Sequence, residues 1–171
     1  EADGGTATFL SVGIGINAGL VLTGPVGARE RRHFTAIGYR VNLASRLESA
    51  NKQYGTRTLV TDSVVRVAAR AFLFREIDLV TVKGTRHPVR IHELLAVKAR
   101  ANPRAVEIAR VFAAGLAAYR ARRWDDAAKA FTHLAETYKD LPSRLFLART
   151  RQFASRPPAK DWGGVSILTV K

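Results

Sequence analysis

Apolar residues alternate with small or polar ones through Val12, Ile14 and Ile16 and again at Leu20 and Leu22, which predicts two strands within residues 9–23. The Asn17-Ala18-Gly19 step between them predicts a reversal, so the pair is expected as a hairpin. Residues 24–33 carry Gly and Pro and then charge, as a loop does, and Phe34–Ile37 is a short apolar piece closed by Gly38. From Val41 the period changes: Val41, Leu43, Ala44 and Leu47 recur at helical spacing until Asn51 and Tyr54-Gly55 end the pattern. Thr58–Val60 reads as a strand, and Asp62 can N-cap a helix carrying Val64, Val65, Val67, Ala68 and Phe72. Two more strands, Phe74–Val82 and Val89–Leu95, flank a Lys83–Pro88 connection. The predicted order β-β-α-β-α-β-β is an α+β arrangement with hairpins at both ends.

Beyond Ala96 alanine and arginine dominate. Pro103 marks a helix entry, Phe112, Leu116 and Tyr119 form one stripe, and Trp124, Ala127, Phe131, Leu134 and Tyr138 form another. Pro142 opens a third helix with Leu145, Leu147 and Phe153. The tail holds Pro157-Pro158, Trp162 and an apolar run from Val165 to Val170; it is expected as an arm laid on the domain, because Trp162 and Ile167 need burial. The expected divisions are residues 1–97, a helical region 98–155 and an extended tail 156–171.

With 171 residues and 47% apolar content, the chain has ample material for a core. Without cysteine it can hold no disulfide, thiolate metal site or cysteine nucleophile. No apolar run approaches the ~20 residues that cross a bilayer, and no signal peptide opens the chain. Methionine is absent altogether, so the sequence reads as a piece of a longer protein cut on its N-terminal side. The net charge of +14 would draw the chain towards polyanions. That charge is spread through both halves, however, without a basic block or aromatics interleaved with arginine, so a solvated basic surface is the expectation and no nucleic-acid partner is assigned.

Gly13, Gly15 and Gly19 fall in a GxGxxxG spacing followed by a strand, so no helix N-terminus is offered to a phosphate. These glycines are expected to permit close strand approach and a tight turn. His33, His87, His92 and His133 lack metal-ligand spacing, and neither Ser45 nor Ser63 has a His/Asp pattern around it. The informative segment is FTAIGYRVNLASRLE, from Phe34 to Glu48. Asn42 and Arg46 are four apart, so one helix face presents an amide able to hold a sugar oxygen and a guanidinium able to bind a phosphoryl oxygen. From spacing alone the same pair also reads as a solvated amide beside a surface arginine paired to Glu48 or Glu30.

Three stretches, VGIGINAGLVLTGPVG, FTAIGYRVNLASRLESANKQYG and REIDLVTVKGTRHPVRIHELL, resemble the second half of a class III nucleotide cyclase catalytic domain, in the right order and at the right separations. The resemblance covers Val12 to Leu95 and implies half of a ferredoxin-like catalytic domain. It also implies conversion of ATP to 3′,5′-cyclic AMP and pyrophosphate at the interface of a homodimer. Two Mg²⁺ or Mn²⁺ ions would be held by aspartates of a first half that this chain lacks; by itself the chain is then expected to be inactive. Carried over by position, Asn42 orients the ribose and Arg46 stabilises charge on the α-phosphate. Thr35 reads the purine, with adenine expected, although a threonine chosen for β-propensity also fits that place. Lys83, in Val-Lys-Gly, and Arg31 contact the phosphates. Tyr39 stands where many bacterial members have aspartate. The helical region resembles a single tetratricopeptide-like hairpin, with Tyr119, Trp124, Ala127 and Phe131 as framework positions, and would suit a protein partner. The Pro-Pro-x-x-Asp-Trp-x-Gly-Val segment is similar to the C-terminus of bacterial cyclases with a sensor and membrane helices upstream, which makes residue 171 the expected true end and the cytosol the expected location. The alternative is a catalytically silent cyclase homologue serving as a regulatory or interaction module.

Overall fold

In the computed structural model, which describes residues 12–27, 33–82 and 87–168, a five-stranded mixed sheet carries the fold. Its strands are β1 (Ile14–Ile16), β4 (Thr58–Thr61), β6 (Val89–Val97), β5 (Phe72–Val82) and β7 (Val165–Leu168), in that spatial order. The outer pairs β1–β4 and β5–β7 are parallel, and the inner pairs are antiparallel. A separate two-stranded ribbon joins β2 (Leu22–Val26) to β3 (His33–Ile37). The α+β class expected from the alternating periods is the class observed.

The N-terminal hairpin is not where the pattern placed it. β1 and β2 do not pair with each other: β1 lies along β4, and the antiparallel partner of β2 is β3, with Gly24 opposite Thr35. The stretch read as a loop from Gly24 therefore begins inside a strand. The reason lies in β1, whose glycines fit it to a helix. Helix α1 (Tyr39–Tyr54) buries Leu43, Leu47, Ala50, Asn51 and Tyr54 at helical spacing. A Cβ on Gly15 would come within 2.0 Å of the Ala44 carbonyl oxygen and 2.4 Å of the Glu48 nitrogen, so only glycine lets α1 lie this close. Asn51 then stitches the two together, its amide donating to the Ile14 carbonyl at 3.0 Å while its Oδ1 accepts from the Thr56 hydroxyl at 2.9 Å. Gly55, at φ 69°, ends the helix in the left-handed conformation.

Helix α2 (Asp62–Ala68) is shorter than its pattern suggested, and Phe72 belongs to β5. Thr61 occupies the cap and Asp62 is the first helical residue, paired to Arg66 one turn on. None of its residues is buried, so tertiary packing gives this helix nothing with which to extend.

Strand β5 contains a bulge: Glu76 faces His92 and Asp78 faces Ile91, leaving Ile77 extra. Both Ile77 and Asp78 are consequently buried, and the strand turns Arg75, Ile77, Asp78, Val80 and Val82 inward. On this strand packs α3 (Pro103–Arg120), with α4 (Trp124–Thr137) against α3 and α5 (Leu141–Ser155) against α4, and their rings Phe112, Phe131 and Phe146 meet at centroid distances of 5.3–5.5 Å. Asn102 caps α3 by accepting from the Ala105 nitrogen, and Asp140 caps α5 by accepting from the Ser143 nitrogen. Ion pairs tie the helices to the sheet: Arg75 with Asp140 at 2.8 Å, Arg120 with Glu76 at 2.6 Å and Arg149 with Asp78 at 2.8 Å.

The tail is an arm that ends as β7, its Trp162 packed edge-on against Tyr119 and Phe153. Arg122 holds the arm by donating to the carbonyls of Pro158, Ala159 and Lys160. Ile167, expected to need burial, is 74% exposed, and Leu168 is buried in its place. The parallel pairing with β5 sets this, since neighbouring strand residues face opposite sides. Tyr119, Trp124, Ala127 and Phe131 spend their surface on packing within the chain.

Gly15→Ala is expected to destabilise the fold by about 3 kcal/mol, because backbone stands where the methyl group would go. Urea unfolding measures it, and a loss below ~1 kcal/mol would show that α1 moves off β1 freely. His92, on β6, is buried beside Asp62, its Nε2 3.4 Å from the carboxylate, and burial lowers its pKa in spite of the nearby Glu76 and Asp62. An imidazole held neutral in the fold but protonated once unfolded contributes stability that is complete above its ordinary pKa and is lost as pH falls below it. The stability difference between the protein and His92→Gln should therefore shrink between pH 7.5 and 5.5; a difference independent of pH would remove His92 from the linkage.

Candidate functional site

Asn42 and Arg46 lie in the first half of α1, one turn and about 6 Å of rise apart. The Asn42 side chain is exposed and Arg46 is half-buried. The helix start that carries them is set from both sides. β3 runs into α1 through Gly38 alone, whose φ of 124° suits a residue without a Cβ. From the β1 side, the Asn17 amide donates to the Arg40 carbonyl at 3.1 Å. Asn17 is held in turn by the hydroxyls of Thr61 and Ser63, at 2.8 and 3.2 Å from its Oδ1. The two hydroxyls are 2.8 Å from each other, and the single Ser63 proton is shared between Asn17 Oδ1 and the Ala18 carbonyl, 3.0 Å away.

Thr35 sits on β3, exposed, with the strand and Gly38 leading directly into α1. It therefore belongs to the same surface sequence as Asn42, although a ribbon and not the main sheet carries it. Arg31 and Lys83 lie outside the described residues. Tyr39, 47% exposed, opens the helix next to these groups.

A cleft of about 470 Å³ opens beside the start of α1, lined among others by Asn17, Tyr39, Arg40, Ser63, Arg66 and Arg90. By pattern Asn17 is a turn residue, and Ser63 has no His/Asp pattern around it. Their hydrogen bonds make them supports for the helix start and the cleft wall. The only advance signal was a short polar pair, Thr61 and Ser63, after a strand; nothing local pointed to residue 17.

The surface around this helix is unusually apolar for one facing water. Leu20, Leu22 and Phe34 are 97%, 74% and 77% exposed, and Val12, Ile14, Val26 and Ile37 are exposed as well. All belong to the first strands and their connections, and together they form an exposed apolar surface. Among the described residues no group of three or more His, Asp or Glu could hold a metal ion. Around the start of α1 the described side chains offer amide, hydroxyl and guanidinium groups. No helix among the described residues is long and apolar enough to cross a membrane.

Residues 4–96 match the profile of the adenylate and guanylate cyclase catalytic domain. The chain is 47% identical over 90 residues to an adenylate cyclase of Anabaena cylindrica, and 40% identical over 88 residues to adenylate cyclase 1 of Rhizobium meliloti. These matches cover 51% and 52% of this chain but only 18% and 13% of the relatives, so the chain spans under a fifth of the length of either. Among solved structures, the adenylyl cyclase CyaB of P. aeruginosa is 30% identical, with a TM-score of 0.49 over 57% of this chain and 49% of that one. With the matched region running through β1–β6 and the helix of Asn42 and Arg46, this chain belongs to the adenylate and guanylate cyclase catalytic domain family.

Proposed function

We propose that the chain supplies one wall of an adenylate cyclase site, at which ATP is converted to 3′,5′-cyclic AMP and pyrophosphate in a homodimer. The observation that carries this reading is the placing of the exposed Asn42 and the half-buried Arg46 one turn apart on α1, next to strands whose apolar residues are exposed. Those strands are the surface on which the rest of a catalytic domain and a second subunit would close. The identity to proteins named adenylate cyclases supports the same choice of substrate.

In the reaction the ribose 3′-oxygen bonds to the α-phosphorus, the bond from that phosphorus to the pyrophosphate oxygen breaks, and the hydroxyl proton is lost. Asn42 holds the ribose so that its 3′-oxygen faces the phosphorus, a contribution of orientation. Arg46 binds the non-bridging α-phosphate oxygens, where charge rises as the bond forms. Thr35 offers one hydroxyl to the adenine edge. Lys83 and Arg31 hold the β- and γ-phosphates. Mg²⁺ or Mn²⁺, bound through aspartates supplied from outside this chain, would activate the hydroxyl and balance the triphosphate charge. A protein partner at the helical region and a cytosolic setting belong to the same proposal. The competing reading, a silent regulatory module, shares the fold and differs in having no turnover to lose.

Arg46→Ala in the full-length protein should lower kcat by ~10²–10³-fold with little change in KM for ATP, as expected when a contact strengthens only in the transition state. Steady-state kinetics decide it, and an unchanged kcat places Arg46 outside the site. Thr35→Val should erode the ATP/GTP ratio of kcat/KM by about tenfold while leaving the protein folded, because it leaves a polar edge of the base unpaired. Parallel assays with the two nucleotides test this; a constant ratio makes Thr35 a strand residue only.

A further inference from the structure

The helix that carries Asn42 and Arg46 is anchored at its far end to the C-terminal region, and the anchor is polar. Tyr54 is the last residue of α1 and is 1% exposed. Its hydroxyl donates to Asp78 Oδ2 at 2.8 Å. That oxygen also accepts from Arg149 Nη1 of α5 at 2.8 Å, and Asp78 Oδ1 accepts from the Leu79 nitrogen at 2.8 Å. The same Arg149 nitrogen is 3.2 Å from the Ser166 hydroxyl on β7, and the guanidinium lies over the rings of Tyr54 and Phe146, at 5.6 and 5.0 Å from their centroids. Burial, followed by the Asp78 carboxylate, holds the Tyr54 hydroxyl far above its ordinary pKa, so it remains a donor. Asp78 is 0% exposed, and both of its oxygens are used.

Four elements thus meet at one carboxylate: the end of α1, the bulge of β5, α5 and β7. Only α1 carries residues of the proposed site. A helix moves nearly as a rod, and Arg46 is eight residues, about 12 Å, from Tyr54 along it. A shift of the Tyr54 end therefore reaches Arg46 and Asn42 undiminished, and misplacement by about 1 Å suffices to cost ~10²-fold in rate. Other contacts also hold α1: Gly15 of β1 lies close beneath it, its Asn51 donates to the Ile14 carbonyl of β1, and its Leu43 and Leu47 are buried in the core. The Tyr54–Asp78–Arg149 contact is the polar anchor that ties α1 to the C-terminal region.

We infer that Arg149 and Asp78 are positioning residues for the α1 face that presents Asn42 and Arg46, so that the C-terminal helices and β7 set the geometry of the nucleotide wall. This rests on the proposed cyclase reading for its kinetic consequence but not for the coupling itself. The coupling is tested by amide hydrogen exchange on this 171-residue chain as Tyr54→Phe, which removes one hydroxyl, and Arg149→Met, which keeps the stem and removes the charge. The expected result is a loss of protection of about tenfold for amides 43–47 of α1, with those of α4 unchanged. Arg149→Lys should restore most of it, since an ammonium can still reach Asp78. Uniform acceleration across the chain, or unchanged α1 rates, overturns the inference. If Arg149→Met does not fold, Tyr54→Phe decides alone. In the full-length protein both variants should lower kcat ~10-fold or more at a KM for ATP within about twofold of the original. An unchanged kcat overturns the positioning role. If the unaltered protein forms no cyclic AMP, the cyclase reading fails and the exchange arm still decides the coupling.

Discussion

A carboxylate without access to water is the constraint on which the arrangement turns. Asp78 enters the interior because the bulge at Ile77 shifts the strand's alternation by one residue. An ionised carboxylate there is tolerable only with partners for its charge and its lone pairs, and the chain provides them from α1, α5 and its own backbone. Such a group gives less net stability than an apolar residue would, but it accepts only one arrangement of the elements around it. Arg75, 4% exposed between Glu93 and Asp140, does the same a short way along the strand.

These pairs explain why the cyclase-like part and the helices after it share a core. Phe112 and Phe146 pack into one cluster with Leu47, Ile77 and Val80, and the Arg75 guanidinium lies 4.9 Å from the centre of the Phe112 ring. The helical region is therefore no appendage: its inner face is consumed by the sheet, its aromatic groove by the arm with Trp162, and its last strand extends the sheet.

The opposite end of the molecule follows another logic. Around α1's first turns, polar groups hold the backbone in place while apolar side chains on β1–β3 remain in water. An exposed apolar surface of this size beside polar groups is the kind that contacts other protein, and the proposed function uses it so. Tight packing on the C-terminal side and exposed apolar residues on β1–β3 together place Asn42 and Arg46 on a helix that is held at one end and borders exposed apolar surface at the other.

Much of this was legible from residue order. The period of α1, its end at Gly55, the antiparallel β5–β6 pair, the three C-terminal helices and the i, i+4 placing of Asn42 and Arg46 depend on neighbours a few positions apart; the glycines of β1, expected to admit a strand, admit helix α1. Nothing local chose the partner of β1, since residues 14–16 alternate equally well beside β2 or β4; the close seat of α1 against Gly15 decided it. Nor did alternation show that Asp78 faces inward or that Ile167 faces out, because a bulge and a parallel register reset which side each residue takes. Asp78 and Arg149 are 71 positions apart, Arg75 and Asp140 are 65, and Asn17 and Ser63 are 46. The sequence by itself determined most helices and strands and the side chains that share one face of α1, because periodicity and capping act over a turn or two. Which distant charges meet, and so what holds that face in place, was decided only by the tertiary structure, because a buried charge finds its partner by burial and not by proximity along the chain.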